Sequence, residues 1–91
     1  MSKRSFEAKI SGIVQGVGFR WYALRYAKAF DISGFVKNLP DGRVLVRAKG
    51  DEENLKQFLD ILRKGPSGSV VEDVDVKWDV DVDDGEFRIE F

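Results

Sequence analysis

Gly12-Ile13-Val14-Gln15-Gly16-Val17-Gly18-Phe19-Arg20 decides how the chain folds, because it joins a stretch of period two to a stretch of helical period. Upstream, Phe6, Ala8 and Ile10 are apolar and Glu7 and Lys9 between them are charged, which predicts a half-buried strand over Phe6–Ile10. Downstream, Phe19, Tyr22, Ala23, Tyr26, Ala27 and Phe30 recur at helical spacing and predict a helix with an aromatic-rich buried stripe, with Arg25 and Lys28 off it toward solvent. Between strand and helix, Gly16 and Gly18 allow positive φ and let consecutive N–H groups converge on one point. Such a point attracts an anion. The helix start adds unpaired N–H groups and the positive end of a dipole, and Arg20 in the first turn adds a planar fork of donors. Phosphate is the natural guest. A nucleotide is not implied: a Walker loop has four residues between its glycines and then Lys-Ser/Thr, and the dinucleotide fingerprint has a third glycine.

Working outward, the first helix is expected to end near Asp31, with Ser33-Gly34 as its stop, and Phe35-Val36-Lys37-Asn38 reads as a second strand. Leu39-Pro40-Asp41-Gly42 is a tight reversal, proline presetting φ and Asp-Gly closing the turn. A return strand over Arg43–Lys49 places Val44, Val46 and Ala48 toward the core and Arg43, Leu45, Arg47 and Lys49 on an exposed basic face. Gly50 closes it. Asp51 is the expected N-cap of a second helix with Glu52 and Glu53 in its first turn, Leu55, Phe58, Leu59 and Leu62 as its buried stripe, and Arg63, Lys64, Gly65 and Pro66 as its stop. After Ser67-Gly68-Ser69, a long alternation sets Val74, Val76, Trp78, Val80 and Val82 against Asp73, Asp75, Lys77, Asp79 and Asp81. Phe87, Ile89 and Phe91 then mark a short last strand. The order predicts an α+β two-layer sandwich, ferredoxin-like βαββαβ with an additional short C-terminal strand, in which two helices cover one face of an antiparallel sheet. Right-handed crossovers make the first and third strands central.

A chain of 91 residues with 43% hydrophobic content is expected to form a single domain over 1–91. It has no cysteine and no histidine, which excludes thiol chemistry and the usual neutral-pH proton shuttle. The formal charge of −1 hides an asymmetry of +7 over residues 1–50 and −8 over 51–91. Both halves read as solvated surface, with the anion site in the basic one. No apolar signal region or membrane-length apolar run occurs, so a cytoplasmic protein is expected, with no membrane partner. Asp79, Asp81, Asp83, Asp84 and Glu90 partly mimic a calcium loop, but Asp84 stands where the obligatory glycine belongs and the valine alternation already accounts for the spacing; no metal is expected.

Two segments together resemble the acylphosphatase family. One is Gly12–Arg20; the other is Gly34-Phe35-Val36-Lys37-Asn38-Leu39-Pro40-Asp41-Gly42-Arg43-Val44, with Gly50 at its far end. The length and element order agree with that family over essentially the whole chain, with a departure at Ile13, where many members have arginine. A monomer that uses no cofactor and binds no nucleic acid is expected, and the resemblance implies hydrolysis of the carboxyl–phosphate bond of small-molecule acyl phosphates, releasing inorganic phosphate. It implies that the N–H groups from Gln15 through Gly16, Val17 and Gly18 to Phe19, with Arg20, hold the phosphoryl group, and that Asn38 positions the attacking water; read without it, Asn38 is a strand-end residue satisfying its own turn. The alternative is a small ferredoxin-like RNA-binding module, which needs exposed aromatics on the central strands.

Overall fold

The computed structural model describes residues 2–91. Strand β1 (Lys3–Ile13) leads to helix α1 (Phe19–Ala29), then β2 (Ser33–Asn38), β3 (Val44–Asp51), helix α2 (Glu52–Lys64), β4 (Val70–Trp78) and β5 (Arg88–Glu90). The sheet order is β4-β1-β3-β2-β5, with β1 and β3 interior as their topology requires. It is a mixed sheet and not a purely antiparallel one, because β5 joins β2 in parallel, Val36 opposite Ile89 and Lys37 opposite Glu90.

Both helices lie on the face whose rows are Phe6, Ala8 and Ile10 on β1 and Val44, Val46 and Ala48 on β3, all fully buried. Leu55, Phe58 and Leu62 of α2 and Phe19, Ala23 and Ala27 of α1 complete that layer. Period-two and helical patterning therefore meet on one apolar interface. Phe6 is its hub, 6.3 Å from the Phe58 ring and 5.5 Å edge-on from Trp78.

Several boundaries differ from the sequence pattern for identifiable reasons. Strand β1 runs past Ile10 through Gly12, where a bulge after Ser11 shifts its pairing with β4. Helix α1 stops because Asp31 takes φ 55 and Ile32 N–H reaches the Ala27 carbonyl at 2.9 Å; Ser33-Gly34 is already strand. The valine alternation continues to Val82, but the strand ends at Trp78, where Asp79 turns to φ 63. The chain from 79 to 85 then crosses the far end of the sheet, Asp79 N–H bonding Ser5 O at 2.8 Å, Lys49 pairing with Asp84 at 3.0 Å and Gly85 N–H reaching Ser33 Oγ at 3.2 Å. This crossing disposes of part of the charge asymmetry. Arg4 and Lys49 of the basic half are neutralised by Asp79 and Asp84 of the acidic half. The same pairs disperse the calcium-like run, Glu90 being taken by Arg88, and among the described residues no cluster of three or more His, Cys, Asp or Glu is placed to hold a metal.

Candidate phosphate site at the mouth of helix α1

The two helices begin differently. Asp51 caps α2, its carboxylate accepting from Glu53 N–H at 3.0 Å. At α1 the N-cap is Gly18, left-handed at φ 78, ψ 20, with no side chain to cap anything. Gly16 precedes it at φ 75, and a Cβ built on either glycine would meet nothing within 4 Å. Both glycines are there for backbone conformation, since positive φ favours a residue without Cβ. Among the described residues, none of the backbone N–H groups from Gly16 to Arg20 donates to another protein group. Meanwhile Val14 and Phe19 are buried at either end of the loop and Val17 packs on the core, so apolar side chains pin a loop whose polar edge faces out.

Gln15 also acts through its side chain. Its side-chain amide donates to Leu39 O at 2.8 Å and Arg43 O at 3.0 Å, the two carbonyls that flank the β2–β3 turn. The turn is itself closed by Leu39 N–H to Arg43 O at 2.8 Å and by an Asp41–Arg43 pair at 2.8 Å. That guanidinium holds the Asp41 carboxyl below the usual carboxylate range. One side chain thus fastens the glycine loop to the hairpin carrying Asn38. Nothing in the sequence spacing announces this link across 24 residues. Gln15→Leu is expected to cost about 1–3 kcal/mol of stability and to lower kcat/KM roughly tenfold through misplacement of the loop. Urea unfolding and steady-state kinetics on the same preparation check it; kinetics unchanged alongside lost stability would reduce Gln15 to a structural clamp.

Asn38 ends β2, opposite Val44. Its Oδ1 is buried and has no hydrogen-bond partner among the described residues. A strand-end asparagine satisfying its own turn would not leave that atom orphaned, because an unmet buried acceptor costs about 1–3 kcal/mol. Arg20, partly exposed in the first turn of α1, has no carboxylate within ion-pair distance among the described residues, whereas Arg4, Arg43, Arg47 and Arg88 are each paired with one. Its guanidinium is free to bind an anion. The structure thus brings the loop 15–19, Arg20 and Asn38 to one end of the sheet, where β1 and β2 both finish.

On the open face of the sheet, Glu7 is only 8% exposed and takes Arg47 at 2.8 Å. The strand aromatic on that face is Phe35, half-buried beneath the Arg88 guanidinium. It offers no pair of free stacking platforms, so the RNA-binding alternative is not favoured.

The acylphosphatase family profile matches residues 6–89. A curated acylphosphatase of Chlorobaculum tepidum is 44% identical over 90 residues, covering 98% of this chain and 98% of its own. One from Archaeoglobus fulgidus is 48% identical over 73 residues, 80% of this chain and 82% of its own. The crystal structure of acylphosphatase from Bacillus subtilis superimposes with a TM-score of 0.91 at 32% identity, covering 97% of this chain and 99% of that one.

Proposed function

The chain belongs to the acylphosphatase family and hydrolyses acyl phosphates, and from that premise we propose that the N–H groups of Gln15 to Phe19 with Arg20 hold the phosphoryl group while Asn38 positions the attacking water. The observation that carries this division of labour is the Gln15 bridge, which ties the anion-binding loop to the hairpin bearing Asn38.

The chemistry suits a site without histidine or cysteine. Water attacks phosphorus, the bond from phosphorus to the carboxyl oxygen breaks, and the bonding pair leaves with a carboxylate of pKa about 4. That leaving group is stable as an anion at pH 7, so no general acid is required. Phosphoryl transfer passes through a loose transition state in which the water carries little positive charge, so orientation and charge stabilisation do most of the work. A phosphate oxygen of the substrate takes the proton. Arg20 and the loop N–H groups meet the charge on the equatorial oxygens, and the Asn38 amide orients the water along the line of attack. No step calls for a metal or organic cofactor. A cytoplasmic monomer belongs to the same proposal: a cysteine-free chain needs no oxidising compartment, and every residue given a role comes from one chain.

The test is hydrolysis of an aryl acyl phosphate at neutral pH with EDTA present, comparing the parent with Asn38→Ala. The parent is expected to be fully active in EDTA. Asn38→Ala should lower kcat by about 10² through loss of water orientation, with inhibition by inorganic phosphate little changed because the cradle is intact. An alanine variant with unchanged kcat would remove Asn38 from the mechanism.

A further inference from the structure

Phe91 lies one residue beyond β5, in the alternation that begins with Phe87 and Ile89. Phe87 is buried and Ile89 packs on the core, but Phe91 is 90% exposed. A ring left in water does not anchor the sheet. It touches Arg20, whose guanidinium carbon lies 5.0 Å from the ring centroid, inside the ~6 Å reach of a cation–π contact. The β2–β5 register explains how it gets there. Val36 is opposite Ile89 and Lys37 opposite Glu90, so the next row of this parallel pair brings Phe91 level with Asn38.

We propose that Phe91 is a positioning residue of the phosphate site, its ring holding the Arg20 guanidinium so that the donor fork is aimed before substrate arrives. The proposal rests on the assignment of phosphoryl binding to Arg20 made above. A carboxylate is the commonest way to hold a guanidinium, and Arg4, Arg43, Arg47 and Arg88 use one. An aromatic face restrains the cation through its quadrupole and leaves the N–H donors, which lie in the guanidinium plane, available. A long arginine side chain otherwise loses its rotamer freedom when substrate binds, and restraint beforehand removes part of that cost.

The test compares Phe91→Ala, Phe91→Leu and Phe91→Trp, Arg20→Ala, and the Phe91→Ala/Arg20→Ala double variant. The readouts are kcat/KM on an aryl acyl phosphate and on acetyl phosphate, and the inhibition constant of inorganic phosphate. Phe91→Ala and Phe91→Leu are expected to lower kcat/KM on both substrates by about 2- to 10-fold and to weaken phosphate by a similar factor. Phe91→Trp should recover most of the loss, and Phe91→Ala should add nothing in the Arg20→Ala background. Full activity in Phe91→Leu, a loss confined to the aryl substrate, or an equal loss with and without Arg20 would each overturn the proposal, by assigning the ring to bulk, to the acyl group or to another neighbour. If Arg20→Ala collapses while every Phe91 variant matches the parent, this inference alone fails. If Arg20→Ala keeps parental activity, the assignment of Arg20 fails as well.

Discussion

Arg20→Ala is expected to lower kcat/KM on an aryl acyl phosphate by about 10²–10³, the range found when a preorganised donor is removed from a developing charge. The fold should survive, because the guanidinium is partly exposed, makes no ion pair among the described residues and contributes only its contact with Phe91. Both kcat and phosphate affinity should fall, since the donors hold the ground-state dianion and hold the transition state more strongly. Arg20→Lys should recover little of the loss. An ammonium supplies charge but cannot span two phosphoryl oxygens with parallel N–H bonds, and it is more strongly hydrated. Steady-state kinetics, with circular dichroism and urea unfolding on the same preparations, separate loss of chemistry from loss of fold. A lysine variant close to the parent would show that charge alone suffices, and the donor geometry argued above would not stand.

The second large effect is on stability. Gly34 sits within β2 at φ +131, and a Cβ there would lie 1.9 Å from the Arg47 carbonyl oxygen, 2.8 Å from its carbon and 3.2 Å from Ala48 Cα. All three are backbone atoms of β3, so no side chain can swing aside; the ladder itself must shift. Gly34→Ala is therefore expected to cost roughly 3 kcal/mol or more, from a disfavoured backbone conformation plus a broken ladder. For a domain of this size each kcal/mol moves Tm by about 4–8 °C. Gly42 is the control, at φ +94 but with nothing within 4 Å of its Cβ. Gly42→Ala suffers conformational strain without the clash and should cost about 1–2 kcal/mol. Thermal unfolding of both variants distinguishes the contributions, and equal losses would mean that the close approach of β2 to β3 is not what Gly34 serves.

Periodicity alone marked both helices, their buried stripes and the core rows of β1 and β3, because patterning over several turns or pleats leaves few alternative ways to bury the apolar side chains. Asp51 as the cap of α2 was equally legible, since capping is local chemistry between a side chain and the N–H two residues on. The positive φ of Gly16 and Gly18 and the start of α1 were legible for the same reason, since loop conformation and helix start act over a few residues; the anion site proposed there rests on that geometry.

What local pattern could not carry is everything set by a partner distant in the chain. Val80 and Val82 keep the alternation of a strand, yet they lie on the crossing segment, because Ser5, Lys49 and Ser33 draw residues 79 to 85 across the sheet end. Glu7 alternates as an exposed residue and is nearly buried, since Arg47 on the adjacent strand covers it. The parallel seat of β5, which takes Phe91 to Arg20, follows from an open β2 edge and not from the pattern Phe87, Ile89, Phe91. The two helices, the core strands, the α+β fold class and the glycine loop are legible in the sequence because each follows from short-range periodicity and backbone chemistry. That Gln15 fastens this loop to the hairpin of Asn38 and that Phe91 faces Arg20 is visible in the folded chain alone, because hydrogen bonds and ring contacts between distant segments depend on strand register, which no local spacing encodes.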